Sequence, residues 1–355
     1  MVILKHKINL EIDSQYQYCF QTKLWTMMFP SIETHILKLT ITQRQKNPEF
    51  IQLLSHARYG KRYLLEEDRQ VLFSRCVSSE SLVDKTITTF IYPTNAKVNT
   101  HNKDMLELLS GQSTIYYQEF CAKTFHEINR DSDDPFMSRF IEDDHIDTLL
   151  NINEYRSEYG YHLLEIGGSK EINELYKLYH SYTQLPFRLE LKVGAYIMLL
   201  QNGILQGCVN GSRGIITSIR NNPKYNINQL GIHFFNSTTQ FPIQLDTIAT
   251  TDTLDLNQHE CTIEIGHSHT RVLYMKMCPL NLAWAFTVHK SQGLTLNNIC
   301  LDLVSFDKSR PYGYFAEGQA YTAISRISNP QTLYLLNADT RVFKTNYNVI
   351  QSNLL

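Results

Sequence analysis

Apolar positions change their spacing several times along the chain, and each change predicts a different kind of element. His35 to Ile41 (HILKLTI) alternates as a strand does. After Arg44-Gln45-Lys46 and Pro48, the pairs Phe50-Ile51 and Leu53-Leu54 open a helix that stops near Gly60. Lys85 to Thr94 (KTITTFIYPT) is rich in β-branched and aromatic residues and reads as a strand. Directly after it, Val98, Asn102, Met105 and Leu109 fall at i, i+4, i+7 and i+11, one face of a helix that ends at Gly111. Asn102 on that face is either a buried hydrogen-bonding residue or an edge position, and the first is preferred. A strand followed at once by a helix suggests an α/β layer.

From Leu189 to Met277 the texture is different. Short β-rich runs (LKVGAYIMLL, GIITSI, LGIHFF, FPIQLDTI, CTIEI, RVLYMKM) alternate with turn signals at Asn202-Gly203, Asn210-Gly211 and Asn222-Pro223. This spacing suggests a small antiparallel barrel or sandwich that interrupts the α/β region. The α/β pattern then returns. Leu280, Leu282, Trp284, Phe286 and Val288 alternate with small or polar residues and predict one strand. A polar loop follows, and Ile299, Leu301 and Leu303 predict another strand. Ala320, Ala323, Ile324 and Ile327 mark an amphipathic helix, and Leu333 to Leu336 a closing strand.

With 355 residues the chain is too long for one average domain. Hydrophobic residues at 43% and charged residues at 19% exclude a disordered chain. Lys+Arg 33 against Asp+Glu 35 gives a net charge of −2, so a polyanion site has to be a local basic strip. No stretch approaches the ~20 apolar residues of a membrane span. Val2-Ile3-Leu4 is too short for a signal-peptide core. The expected setting is intracellular, in the nucleus, with mitochondrial or viral residence left open. The seven cysteines (19, 76, 121, 208, 261, 278, 300) are never in CxxC spacing, which argues against a disulfide framework and a cysteine zinc site. His267-Ser268-His269 reads as a solvated loop rather than a metal site. The acidic run between Asp131 and Asp147 reads as an exposed loop held away from any nucleic-acid channel.

Two segments carry chemistry. In Thr287-Val-His-Lys-Ser-Gln-Gly293 a strand end delivers hydroxyl, imidazole, ammonium and amide groups into one short loop, which suits an anion with several oxygens. In Gly318 to Ile327 (GQAYTAISRI) the apolar stripe leaves Gln319, Thr322 and Arg326 on the opposite face. Arg326 there is either a solvated charge or a fork aimed across a cleft at a phosphate.

TVHKSQG followed by YTAISR resembles motifs V and VI of superfamily 1 helicases, and most of all the Pif (petite integration frequency) type, akin to the RecD group. The resemblance covers most of the chain. Leu189 to Leu200, with Val209-Asn210-Gly211 and Arg213-Gly214, is similar to the approach to that family's small barrel insertion, and Pro279 to Ala285 to its exit. Leu39 to Gly60, with Arg44-Gln45 and Arg58-Tyr59-Gly60, resembles motif IV and the helix after it, although Gln43 stands where the family commonly has an aromatic residue. Phe20 to Trp25 resembles the stretch after motif III.

The resemblance implies a second RecA-like domain, of P-loop NTPase type, with a Src-homology-three-like barrel insertion. Residues 1–34 would be a remnant of the first RecA-like domain, 35–180 and 279–355 the two parts of the second, and 181–278 the insertion. Arg326 would be the arginine finger and Arg44 a second phosphate-facing arginine, both counted as catalytic. Gln292 and Gly293 would lie beside the nucleotide, and Thr287, His289, Lys290 and Ser291 would touch single-stranded DNA. No metal ligand is implied on these residues. The sequence has no GxxxxGK[ST] loop. ATP and Mg²⁺ would then be bound mainly by a first domain, missing here, that carries this loop. The expectation is the C-terminal portion of an ATP-dependent 5′-to-3′ DNA helicase of replication, repair, recombination or telomere maintenance, inactive as an ATPase alone, with single-stranded DNA and an N-terminal half as partners and no membrane. The alternative is a non-catalytic single-stranded DNA-binding fragment or a transposon-derived remnant.

Overall fold

The computed structural model describes residues 23–28, 41–78, 83, 85, 88–117, 119–124, 188–200, 202, 205–222, 227–235, 252–255, 262–267, 271–276, 278–306, 309 and 313–351. The strand expected over His35 to Ile41 falls outside them except for Ile41. So do the acidic stretch 131–147, Ser268-His269, and all of the expected first-domain remnant apart from helix α1 (Lys23–Met28).

A four-stranded parallel sheet organises the α/β part. Strand β1 (Thr89–Tyr92) is followed directly by the helix Asn95–Leu108, the predicted unit. The sheet order places β12 (Ala285–Thr287) beside β1, then β13 (Ile299–Leu303), then β14 (Leu333–Ala338), all parallel. Every residue of β1 and β12 is buried, as in a sheet covered on both faces. Ile91, Phe286, Ile299, Leu301 and Leu303 face one core. It is shared with α2 (Pro48–Tyr59), α3 (Glu66–Phe73) and α5 (Gln319–Ile324). Phe90, Tyr92, Ala285 and Cys300 face a second core against Val98 of α4 (Asn95–Leu108). Helices on both faces of a parallel sheet make the α/β class expected from the sequence.

Local chemistry sets the helix ends. Asn47 caps α2, its side chain accepting from the Phe50 N–H at 2.8 Å, with Pro48 in the first turn where no N–H is needed. The helix stops at Gly60, whose φ of 102° no other residue adopts easily. A short helix α6 (Tyr347–Gln351) follows β14.

The antiparallel region is larger than expected. Strands β2 (Thr114–Tyr117) and β3 (Glu119–Thr124) lie where the sequence reading continues the α/β domain to residue 180. Instead β2 pairs with β4 (Arg188–Leu191). Strand β3 pairs with β10 (Arg271–Lys276), which also pairs with β9 (Thr262–His267). Five strands form the main antiparallel sheet: β11 (Leu280–Leu282), β5 (Tyr196–Leu199), β6 (Arg213–Asn222), β7 (Ile227–Phe234) and β8 (Asp252–Asp255), in that order.

The single strand expected over Leu280 to Val288 is therefore two. Leu280–Leu282 joins the antiparallel sheet, and Ala285–Thr287 joins the parallel one. The crossing at Ala283-Trp284 falls a few residues after the expected boundary at 279. Asn102 holds it. Its side chain accepts from the Ala285 N–H at 2.8 Å and donates to the carbonyls of Ala285 at 2.9 Å and Leu282 at 3.3 Å. The residue is buried, the preferred of the two readings.

Candidate nucleotide and nucleic-acid site

Strand β12 ends at Thr287, and the next N–H, of Val288, still donates to the Tyr92 carbonyl at 3.1 Å. From there the chain coils into successive turns. The Ser291 N–H donates to the Thr287 carbonyl at 3.1 Å, and the Ser291 hydroxyl to the Val288 carbonyl at 2.6 Å. The Gln292 N–H donates to His289 and the Leu294 N–H to Ser291. Gly293, at φ 84°, ends the coil with open space where a Cβ would stand.

This folding sorts the predicted residues. Ser291 is fully buried and Thr287 is buried, with its Oγ1 accepting from the Lys290 N–H at 3.4 Å. Both hydroxyls shape the loop, whereas the sequence reading has them touching DNA. His289, Gln292 and Gly293 are exposed. Lys290 is half-buried, and burial pushes its ammonium below the usual lysine range. Among the described residues no carboxylate pairs with it.

The two predicted arginines, far apart in sequence, meet at the end of α5. Arg44 donates from Nε to the Thr295 hydroxyl at 3.0 Å and from its terminal nitrogen to the Ser325 carbonyl at 3.1 Å. Arg326 donates to the Thr322 carbonyl at 2.9 Å and to the Ser325 hydroxyl at 2.8 Å. Both are half-buried. Burial, and then the positive charge of Arg44, lower the Arg326 pKa. Among the described residues neither guanidinium is paired with a carboxylate. Two like charges held close without a counter-ion raise each other's energy, and an anion placed between them relieves it.

The loop and the arginines share one platform. Thr295 lies two residues beyond Gly293. The Leu296 N–H donates to the Arg326 carbonyl, and the Ser328 N–H to the Leu296 carbonyl, each at 3.0 Å. Buried Gln45 donates to the carbonyls of Ser325 and Ile327. Helix α5 is shorter than predicted and ends at Ile324, so Arg326 sits in the turn after it. Gln319 departs from the expected outer polar face. It is buried, accepting from the Phe315 and Ala316 N–H groups and donating to the Pro93 carbonyl.

Sequence reasoning missed Gln45, Thr295 and Ser325 as members of this site. The adjacency of Gln45 to Arg44 is the signal available for the first; Thr295 and Ser325 act through contacts that only the fold creates. Among the described residues no three metal-ligating side chains are grouped. No helix among them is long and apolar enough to cross a membrane.

Comparison with known proteins agrees with this architecture. Residues 184–219 match the family profile "DNA helicase Pif1, 2B domain". The chain is 25% identical over 343 residues to the ATP-dependent DNA helicase PIF1 of Xenopus laevis, covering 96% of this chain and 41% of that protein. It is 26% identical over 340 residues to the mouse (Mus musculus) protein of the same name, covering 95% and 39%. The chain thus spans about 40% of the length of these relatives. Its fold is similar to the crystal structure of Pif1 helicase from Candida albicans, with a TM-score of 0.60 at 18% identity over 96% of this chain and 64% of that one. The Bacteroides Pif1 helicase in complex with ADP-AlF3 and ssDNA is also similar, with a TM-score of 0.53 at 21% identity, covering 90% and 56%. These matches agree with the resemblance of the loop after β12 and of the arginine-bearing segments to the Pif-type superfamily 1 DNA helicases.

Proposed function

We propose that this chain supplies the arginine-bearing, strand-gripping part of an ATP-dependent DNA helicase. The observation that carries the reading is the convergence of Arg44 and Arg326 on Ser325, half-buried and without a carboxylate among the described residues. A polyphosphate fits two such forks, and charge that shifts during phosphoryl transfer is stabilised by them. The phosphate-cradling loop and the magnesium ligands would come from a partner RecA-like domain. The absence of GxxxxGK[ST] from the sequence supports this division. ATP bound there would supply the group transferred; this chain's part is to neutralise charge on its outer phosphate and to relay closure of the cleft.

The relay has a physical path. Arg44 touches both Thr295, at the exit of the loop, and Ser325. A change in what the arginines hold therefore reaches the loop carrying His289 and Lys290, which would grip single-stranded DNA through its phosphates. The five-stranded antiparallel sheet would be the Src-homology-three-like insertion, a reading supported by the profile match at 184–219. Movement along the strand in the 5′-to-3′ direction belongs to the same proposal.

The test is ATP hydrolysis and DNA binding by the purified chain, with Arg326→Ala and Lys290→Ala beside it. Salt-sensitive binding of single-stranded DNA that Lys290→Ala weakens, without DNA-stimulated hydrolysis, is the expected result. Hydrolysis that needs both DNA and Arg326 would overturn the division of labour and make the chain an autonomous motor.

A further inference from the structure

Strand β6 begins with an arginine in an unusual setting. The Arg213 guanidinium lies 5.9 Å from the ring centroid of Phe235 and 5.9 Å from that of Phe286. Phe235 belongs to the antiparallel region and Phe286 to β12, so the side chain stands where the two sheets meet. Its Nε is excluded from water and has no acceptor among the described residues. No carboxylate among them pairs with the guanidinium. Burial lowers its pKa to about 10, so it is still charged at neutral pH. A half-buried cation with no carboxylate partner among the described residues is unfavourable unless something compensates it, and two aromatic faces do so only in part.

The position says what compensates it. Phe286 immediately precedes Thr287, the first residue of the loop. Gly211, two residues before Arg213, packs against the other end of that loop: a Cβ on Gly211 would come within 2.8 Å of Leu294. Arg213 is thus fastened beside the loop that carries His289 and Lys290. Lys290 is itself partly desolvated and without a carboxylate among the described residues. Two partly desolvated cations beside one loop, neither with a carboxylate partner among the described residues, make a strip for a chain of phosphates, although the protein's net charge is −2.

We propose that Arg213 is a further contact to the single-stranded DNA backbone, extending the grip of the Thr287–Gly293 loop onto the antiparallel sheet. The inference rests on the nucleic-acid reading of the loop given above. Because the guanidinium is held between two rings, it meets a phosphate with little rotamer freedom left to lose.

The experiment titrates a fluorescein-labelled oligothymidylate with the full chain at several salt concentrations, for the unaltered protein, Lys290→Ala and Arg213→Met. Removing one cation from the phosphate backbone lowers the slope of log affinity against log salt by about 0.7. The expected result is that both variants lose about one such step. Arg213→Met, which removes a cation without a carboxylate partner among the described residues, is also expected to unfold at the same or higher temperature without DNA. A slope unchanged by Arg213→Met would overturn the proposal while leaving the loop's role intact. An unaltered protein whose binding ignores salt would overturn the nucleic-acid reading itself. If Arg213→Met does not fold, Arg213→Lys decides: several-fold weaker binding supports the proposal, because the fork is lost, and unchanged affinity refutes it.

Discussion

Gln45 reaches across 280 residues of sequence to donate to the carbonyl of Ser325 at 2.9 Å, and the same nitrogen meets the carbonyl of Ile327 at 3.0 Å. One buried amide thus closes the end of α5 and fixes where the neighbouring Arg44 stands. Replacing it by the nearly isosteric Gln45→Leu leaves both carbonyls without that donor. The expected loss is about 1–3 kcal/mol for each carbonyl left unpaired, read from urea unfolding. A variant as stable as the unaltered chain would show that water reaches these carbonyls and that the amide is not what holds the segment.

Asn102 secures the crossing between the two sheets by using both ends of its amide. Asn102→Asp keeps an acceptor for the Ala285 N–H but turns an oxygen toward the carbonyls of Leu282 and Ala285. Burial and these oxygens disfavour the charged carboxylate, so its folded pKa would lie above the unfolded value of about 3.9. Below the unfolded value the acid is neutral in both states and its hydroxyl can donate. Above it the folded state carries a growing penalty. The stability gap to the unaltered protein is therefore expected to widen from about pH 4 to pH 7, measured by denaturation at each pH. A gap that does not change with pH would mean the carboxylate escapes to solvent.

Ser291 and His289 sit two residues apart in one loop and should fail in different ways. Ser291→Ala removes the hydroxyl that donates to the Val288 carbonyl, at an expected cost of about 1 kcal/mol in stability. Its effect on the salt slope of DNA binding should be nil, because the hydroxyl is buried. His289→Ala at the exposed position should do the reverse, weakening DNA binding with stability unchanged. Parallel melting and binding curves on the two variants separate these outcomes.

Burial of Lys290 gives the loop a pH signature. Its folded pKa lies below 10.5, so raising the pH discharges it before an ordinary lysine. Two opposite trends follow. Without DNA, the desolvation cost of the charged form is present at neutral pH and is relieved as pH rises through the lowered pKa toward 10.5, a stabilising contribution. With DNA, the attraction of Lys290 for a phosphate disappears over the same interval. The expected measurement is a fall in oligothymidylate affinity above neutral pH that Lys290→Arg abolishes, since arginine stays charged. The same fall in Lys290→Arg would place the titration elsewhere.

The sequence alone determined the elements whose burial is a local matter. Strand β1 with helix α4, helix α2 with its start after Pro48 and its stop near Gly60, and strands β13 and β14 were legible because periodicity and breakers act within a few residues, whereas the Asn47 cap emerged only from the structure. Arg44, Lys290 and Arg326 were singled out as candidates by the resemblance of their segments to helicase motifs. Tertiary structure decided the rest. Strands β2 and β3 show no clear alternation, and their pairing with β4 and β10 is a long-range choice that no local pattern records. The apparently continuous alternation from Leu280 to Val288 conceals a change of sheet, because a strand's period is the same whichever neighbour it pairs with. Thr287, Ser291 and Gln319 looked like surface chemistry and proved to be internal, since short polar side chains satisfy backbone groups wherever the chain turns. Arg213, read from sequence only within the stretch that resembles the approach to the barrel insertion, gained its meaning when folding set it between Phe235 and Phe286. Charge is written in the sequence; whether a charge is paired, buried or waiting for a ligand depends on neighbours that folding brings from far along the chain.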